Sequence, residues 1–216
     1  MTTVALMSWL AASPAYHGVH TDSAGLLPRS AGGQWLDVGC GPGGLTRVAA
    51  SRGYDAVGID QNAGMIAAAR RIGRRKGSSA RFWVDDLHSL PATSAAVVSA
   101  VSLLAVLPDP ALGLHALWKA VADGGTLLIV EPSATMTTRN ARTLGRQGWT
   151  AHDRLAIGMW STAREGRAVD PALFGSIEAA LISRVPLLGG MVNTWLLTKA
   201  HAADPRGVRD GRHVPR

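Results

Sequence analysis

Residues 34–44 read QWLDVGCGPGG, a short apolar run with one carboxylate that leads into four glycines. Glycine adopts backbone angles closed to other residues and lets a ligand come close to the main chain. An apolar strand that enters such a turn and leaves it as a helix presents free N–H groups to a nucleotide-like molecule. Gly39, Gly41 and Gly44 satisfy G-x-G-x-x-G, and Asp60 ends the next apolar run, where a nicotinamide-dinucleotide site also places its carboxylate. The glycines alone leave the ligand open.

Outward from this turn, short β-branched runs alternate with helical patterns, which predicts a mostly parallel sheet flanked by helices. The expected strands are QWLDVG, DAVGID from Asp55, ARFWVDD from Ala80, the doubly apolar AAVVSAVSLLAVL from Ala95, and TLLIVEP from Thr126. Between them, Leu45, Val48 and Ala49 mark one helix face that stops at Gly53. Met65, Ala69 and Ile72 mark a second face, capped by Asn62. Asp109-Pro110 opens a third helix with Leu114, Leu117, Trp118 and Val121 inward. ISRVPLL, Gly189-Gly190 and MVNTWLLTKA read as an antiparallel hairpin. The expectation is a doubly wound, seven-stranded α/β sheet with a C-terminal hairpin. A covering helix or segment is expected over residues 1–31, the main domain over 32–200 with an insertion at about 133–175, and a disordered tail over 201–216.

At 216 residues and 47% hydrophobic content, the chain suits one domain. No apolar run approaches the roughly 18 residues that cross a bilayer, so neither a membrane span nor a membrane partner is expected. A single cysteine, Cys40, excludes an intrachain disulfide and fits a reducing cytoplasm. The seven histidines show no ligand spacing, so no metal is expected. The net charge of +7 points toward an RNA partner, with RRIGRRK at 70–76 and the arginine-rich tail as phosphate contacts. Only Lys76, Lys119 and Lys199 among the 22 basic residues are lysine, so the excess equally fits arginine-biased coding and a solvated helix end.

What narrows the ligand is the company the glycines keep: Asp37 two residues before Gly39, Gly43 completing DVGCGPGG, then GIDQNAGM, DDLHSLP and DGGTLLIVEP. With these motifs, about residues 32–132 and the final hairpin resemble the class I S-adenosylmethionine-dependent methyltransferases, particularly their small-molecule branch of quinone-biosynthesis type. The resemblance implies that Asp37 and the backbone of the glycine loop, Gly39, Cys40, Gly41 and Gly43, hold the methionine end of the cofactor. It implies that Asp60 accepts from both ribose hydroxyls, that Met65 packs on adenine, and that Asp86 and the Leu87 N–H bind the adenine edge; Gln61 and Ser102 complete the expected contacts. A carboxylate suits two vicinal hydroxyls and a thioether suits an aromatic face. Plainer roles stand beside these, Asp86 as a turn cap and Cys40 as a small residue in a tight loop.

The chain also departs from the family pattern. SAAVV replaces the acidic residue often found where the fourth strand begins, Ala105 and Val106 stand where paired histidines are frequent, and SLLAVLPDP lacks the asparagine-proline-aromatic signature of nucleic-acid amino-methyltransferases. The expected activity is methyl transfer to a small-molecule acceptor by direct in-line displacement, releasing S-adenosylhomocysteine. Tyr16, His17 and His152 are the candidate bases, and Trp149, Met159 and Trp160 the candidate acceptor pocket. An RNA methyltransferase, a binding-only subunit and a dehydrogenase are the alternatives.

Overall fold

The computed structural model describes residues 3–93, 95–145 and 148–201. The part of the expected tail from residue 202 onward, and Ser94, lie outside them. Five strands run in parallel: β1 (Gln34–Val38), β2 (Asp55–Asp60), β3 (Arg81–Val84), β4 (Ala95–Val101) and β5 (Val121–Pro132). β6 (Leu181–Leu187) and β7 (Val192–Thr198) form the hairpin, with β7 antiparallel to β5. The order is β3-β2-β1-β4-β5-β7-β6, the expected seven-stranded sheet. The chain winds outward from β1 to β3 and then returns to β4. The winding therefore reverses between β1 and β4, and a crevice opens there at the carboxyl ends of the strands.

Helices cover both faces: α1 (Thr3–Leu10), α2 (Pro14–Gly25), α3 (Gly44–Ser51), α4 (Ala63–Arg75), α5 (Pro110–Ala120), α6 (Thr138–Leu144) and α7 (Ala151–Arg164). The period of two sorts the strand residues between the layers. Leu128 and Val130 pack with Trp35, Leu45 and Val48, whereas Leu127 and Ile129 pack with Val98, Leu114 and Leu117 on the other face. All four β5 side chains are fully buried, each stabilising the fold by about 1.5–3 kcal/mol.

Several boundaries differ from the sequence expectation. The N-terminal segment forms two helices because Ser13-Pro14 ends the first and starts the second, with Ser13 Oγ accepting from the Tyr16 N–H at 3.3 Å. Val121, expected on the inner face of α5, instead opens β5, five residues ahead of Thr126; it is still fully buried. The ladder shifts between Ala95 and Val97 to take in this extra length. Ile72 is only partly buried, and Ile66 and Gly73 share the inner face of α4. β4 ends at Val101, and Ser102, at φ +54°, turns the chain into a short 3-10 turn at Leu104–Val106.

Candidate active site

The crevice holds a cavity of about 730 Å³. Its floor is the turn between β1 and α3, where Gly39, Gly41 and Gly43 take φ of +67°, +52° and +75°. The Gly41 N–H donates to Asp60 Oδ2 at 2.9 Å, and the Asn62 N–H donates to Asp60 Oδ1 at 2.8 Å. Each carboxylate oxygen thus has one backbone donor and keeps acceptor capacity at the cavity wall that Asp60 helps form. Asn62 caps α4 by accepting from the N–H groups of Gly64 and Met65, which seats the buried Met65 side chain beside Asp60. At the end of β3, Asp85 accepts from the Asp86 N–H and from Ser89, the latter foremost in holding its carboxyl below the usual range. Asp86 Oδ1 caps the next turn by accepting from the His88 N–H at 2.8 Å, leaving Oδ2 and the Leu87 N–H unused by the turn.

Asp37 lies deeper. Its Oδ2 accepts from Thr46 Oγ1 at 2.7 Å and its Oδ1 from Ser99 Oγ at 2.8 Å, and Ser99 in turn accepts from the Trp35 indole at 2.8 Å. Burial pushes the Asp37 carboxyl up to about 6, against the hydrogen bonds that pull it down. It borders a second cavity of about 50 Å³, which shares Met7, Tyr16, Gly39, Gly41 and Val101 with the large one. His20 lines the same small cavity. Its Nδ1 is buried without a hydrogen-bond partner among the described residues, and its ring covers the start of α3 so closely that a Cβ on Gly44 would stand 2.4 Å from it. Burial lowers the His20 imidazole to about 3, so it is neutral.

Helices α1, α2 and α7 form the opposite wall. Trp160, Tyr16 and His20 stack edge to face, with ring centroids 4.8 and 4.9 Å apart. Tyr16 is buried, and desolvation raises its hydroxyl to about 12, which makes it a donor at neutral pH. Arg164 reaches in from the last turn of α7, donating from Nε to Ser102 Oγ at 2.9 Å. Behind it, Glu131 Oε1 accepts from the Leu104 N–H at 2.7 Å, and burial raises this carboxyl to about 7.

The cavity brings together Gly39, Gly41, Asp60, Gln61, Met65, Asp86, Leu87, Ser102, Tyr16, Met159 and Trp160. Asp37 and Cys40 border only the small cavity. The half-buried Cys40 thiol is pushed up in pKa, chiefly by desolvation, and packs where a Cβ on Gly58 would stand 2.9 Å away. Gly43 serves packing, since a Cβ there would stand 2.4 Å from the Phe82 ring. Three expected residues are placed outside the cavity wall: His17 is exposed, His152 donates from Nε2 to the Trp9 carbonyl at 3.0 Å, and Trp149 packs beside Gly145. Arg164 and Glu131 were not expected from the sequence. Trp160 and Arg164 are four residues apart on α7, so the helical repeat that turns Trp160 inward also carries Arg164 to the cavity.

Among the described residues no group of three or more His, Cys, Asp or Glu side chains is placed to hold a metal ion, and no helix is long and apolar enough to cross a membrane. The pattern of a family described as "Methyltransferase domain" matches residues 36–125. A trans-aconitate 2-methyltransferase of Methylobacterium nodulans is 32% identical over 192 residues, spanning 84% of this chain and 67% of that protein. A protein of the same name from Methylobacterium radiotolerans is 33% identical over 156 residues, which covers 69% of this chain and 57% of its own length. The chain spans about half the length of several of the curated relatives it matches. Magnesium protoporphyrin IX methyltransferase from Synechocystis, solved with S-adenosylhomocysteine bound, shares the fold at a TM-score of 0.57 and 17% identity, over 85% of this chain and 82% of that one. The glycine turn, the carboxylate at the end of β2, the strand order and these matches converge on one family, and the chain belongs to the class I S-adenosylmethionine-dependent methyltransferases.

Proposed function

We propose that this chain transfers a methyl group from S-adenosylmethionine to a small-molecule acceptor by direct in-line displacement. The observation that carries this reading is the Asp60 carboxylate, held from behind by the Gly41 and Asn62 N–H groups and bordering the cavity beside Met65. The residues fit the cofactor: Asp60 would take the ribose hydroxyls, Met65 the adenine face, and Asp86 Oδ2 with the Leu87 N–H the adenine edge. The glycine-turn backbone and the small cavity beside Asp37 would take the methionine end. Gln61 and Ser102 would complete the contacts.

Bound S-adenosylmethionine supplies a methyl group already activated on a sulfonium, so the protein's task is alignment and exclusion of water. Trp160, Met159 and Tyr16, together with α1, would close over the acceptor, and the segments at 1–31 and 133–175 act as its cover. Tyr16 stays a phenol at neutral pH, and both histidines named as bases lie outside the cavity, which favours an acceptor that needs no deprotonation by the enzyme.

The test offers the purified protein S-adenosylmethionine with carboxylic acids, trans-aconitate among them, and with thiols, amines, phenols and total RNA, each separately, and measures S-adenosylhomocysteine release. Turnover with a small molecule is expected. Turnover with RNA alone would overturn the acceptor class, and cofactor binding without turnover on any arm would leave the chain a binding subunit.

A further inference from the structure

Arg164 is a cation in a mostly apolar cavity, and no described residue forms an ion pair with it. Its Nε donates to the Ser102 hydroxyl at 2.9 Å and its Nη1 to the Ala163 carbonyl at 3.3 Å, both neutral acceptors; Nη2 has no hydrogen-bond partner among the described residues. The one ion pair found among those residues joins Arg81 to Asp55, at the far side of the sheet. The nearest buried acid, Glu131, is occupied by the Leu104 and Ala105 N–H groups, and with its carboxyl raised to about 7 its charge is only partly present near neutrality. The Tyr16 hydroxyl also makes no hydrogen bond among the described residues, and the charge of Arg164 acts on it directly. The same cavity is lined by Met7, Leu10, Met159 and Trp160, the last packed edge to face on the Tyr16 ring. A partly buried guanidinium without a counter-charge is costly, and a ligand anion removes that cost.

We propose that the methyl acceptor is a carboxylic acid with an apolar body, and that Arg164, assisted by the Tyr16 hydroxyl, anchors its carboxylate. The guanidinium fork matches the two oxygens of a carboxylate, and Nη2 is free to complete the pair. Ser102 Oγ, fixed at the end of β4, sets the plane of the fork through Nε. This assignment rests on the methyltransferase reading, because it treats the cavity beyond the cofactor as the acceptor's.

The experiment is calorimetric titration of the protein saturated with S-adenosylhomocysteine, using octanoate against octanamide and trans-cinnamate against trans-cinnamamide. At least one carboxylate is expected to bind about tenfold tighter than its amide, as a charge-assisted fork contact implies. Arg164→Gln is expected to bring that preference to within about threefold and Arg164→Lys to keep part of it, because only the charge survives in lysine. Both variants are expected to hold S-adenosylhomocysteine within about twofold of the parent, which also reports that they fold. No preference for either carboxylate in the parent protein overturns the proposal, and so does a preference that survives Arg164→Gln. A large loss of S-adenosylhomocysteine affinity in Arg164→Gln overturns it by assigning the guanidinium to the cofactor's own carboxylate. Failure of the parent to bind S-adenosylhomocysteine overturns the methyltransferase reading beneath it and is read separately.

Discussion

Asp37 and Asp60 lie near the carboxyl ends of neighbouring parallel strands, yet their environments divide their roles. Asp60 spends one lone pair per oxygen on backbone N–H groups and borders the large cavity, whereas Asp37 is 2% exposed and its two oxygens are tied to Thr46 and Ser99. Thr46→Val leaves Asp37 Oδ2 buried without that donor and should lower stability by about 1–3 kcal/mol in urea unfolding. A cost near zero would mean that Asp37 finds another donor. His20 makes a second residue-scale prediction. Unfolded, its imidazole takes up a proton near 6.5, but the native ring does so only near 3, so its contribution to stability is lost as pH falls through that interval. Between pH 7 and 5 the protein should lose about 2 kcal/mol more than His20→Leu. Asp37 and Glu131, raised by burial, act with the opposite sign over about pH 4–7, and they are common to both proteins, so the difference isolates His20. Equal pH slopes would contradict the buried neutral ring.

At the scale of the element, the glycine turn separates residues that pack from residues that leave room. A Cβ on Gly43 would meet the Phe82 ring at 2.4 Å, while a Cβ on Gly41, at φ +52°, would meet nothing within 4 Å and would project beside the cavities that Gly41 lines. Gly43→Ala should therefore cost fold stability by more than about 2 kcal/mol. Gly41→Ala should cost only about 1 kcal/mol of strain while weakening S-adenosylhomocysteine binding at least tenfold. Thermal unfolding and calorimetry together check this, and equal stability losses would erase the distinction. The turn was legible in the sequence because its signal is local: left-handed angles strongly favour glycine, and three of them fall within five residues here. α7 was not, since its placement depends on Asp153, which accepts from Ser13 Oγ at 2.7 Å and the Ala15 N–H at 2.8 Å across about 140 residues of chain. The same contacts bring α1 over α7, where Trp9 stacks on His152 at 4.5 Å and keeps that ring out of the cavity. No local pattern in a Thr- and Arg-rich segment announces such contacts.

For the whole molecule, the order of alternating runs was enough to give the sheet and its crevice, because strand polarity and short connections leave few topologies open. The dinucleotide reading of the glycines fell to the motifs around them, which the family matches then supported. The charge balance was less informative. Arg70 in the basic run donates to the Phe82 carbonyl at 2.9 Å and sits over the Trp83 ring, so part of that run holds the edge strand. Arg74, Arg75 and Lys76 of the run lie at the end of α4, about 15 Å along the helix from Met65. The cavity wall opposite the glycine turn was the least legible part, since it is assembled from α1, α2 and α7, which meet only in three dimensions.

The most direct measurement is the S-adenosylhomocysteine dissociation constant of the protein and of Asp60→Ala, by titration calorimetry. The parent should bind, and the variant, still folded, should bind about 10- to 100-fold more weakly, because it loses paired charge-assisted contacts of about 1.5–3 kcal/mol. An unchanged constant in a folded variant would contradict the placement of the cofactor in this cavity.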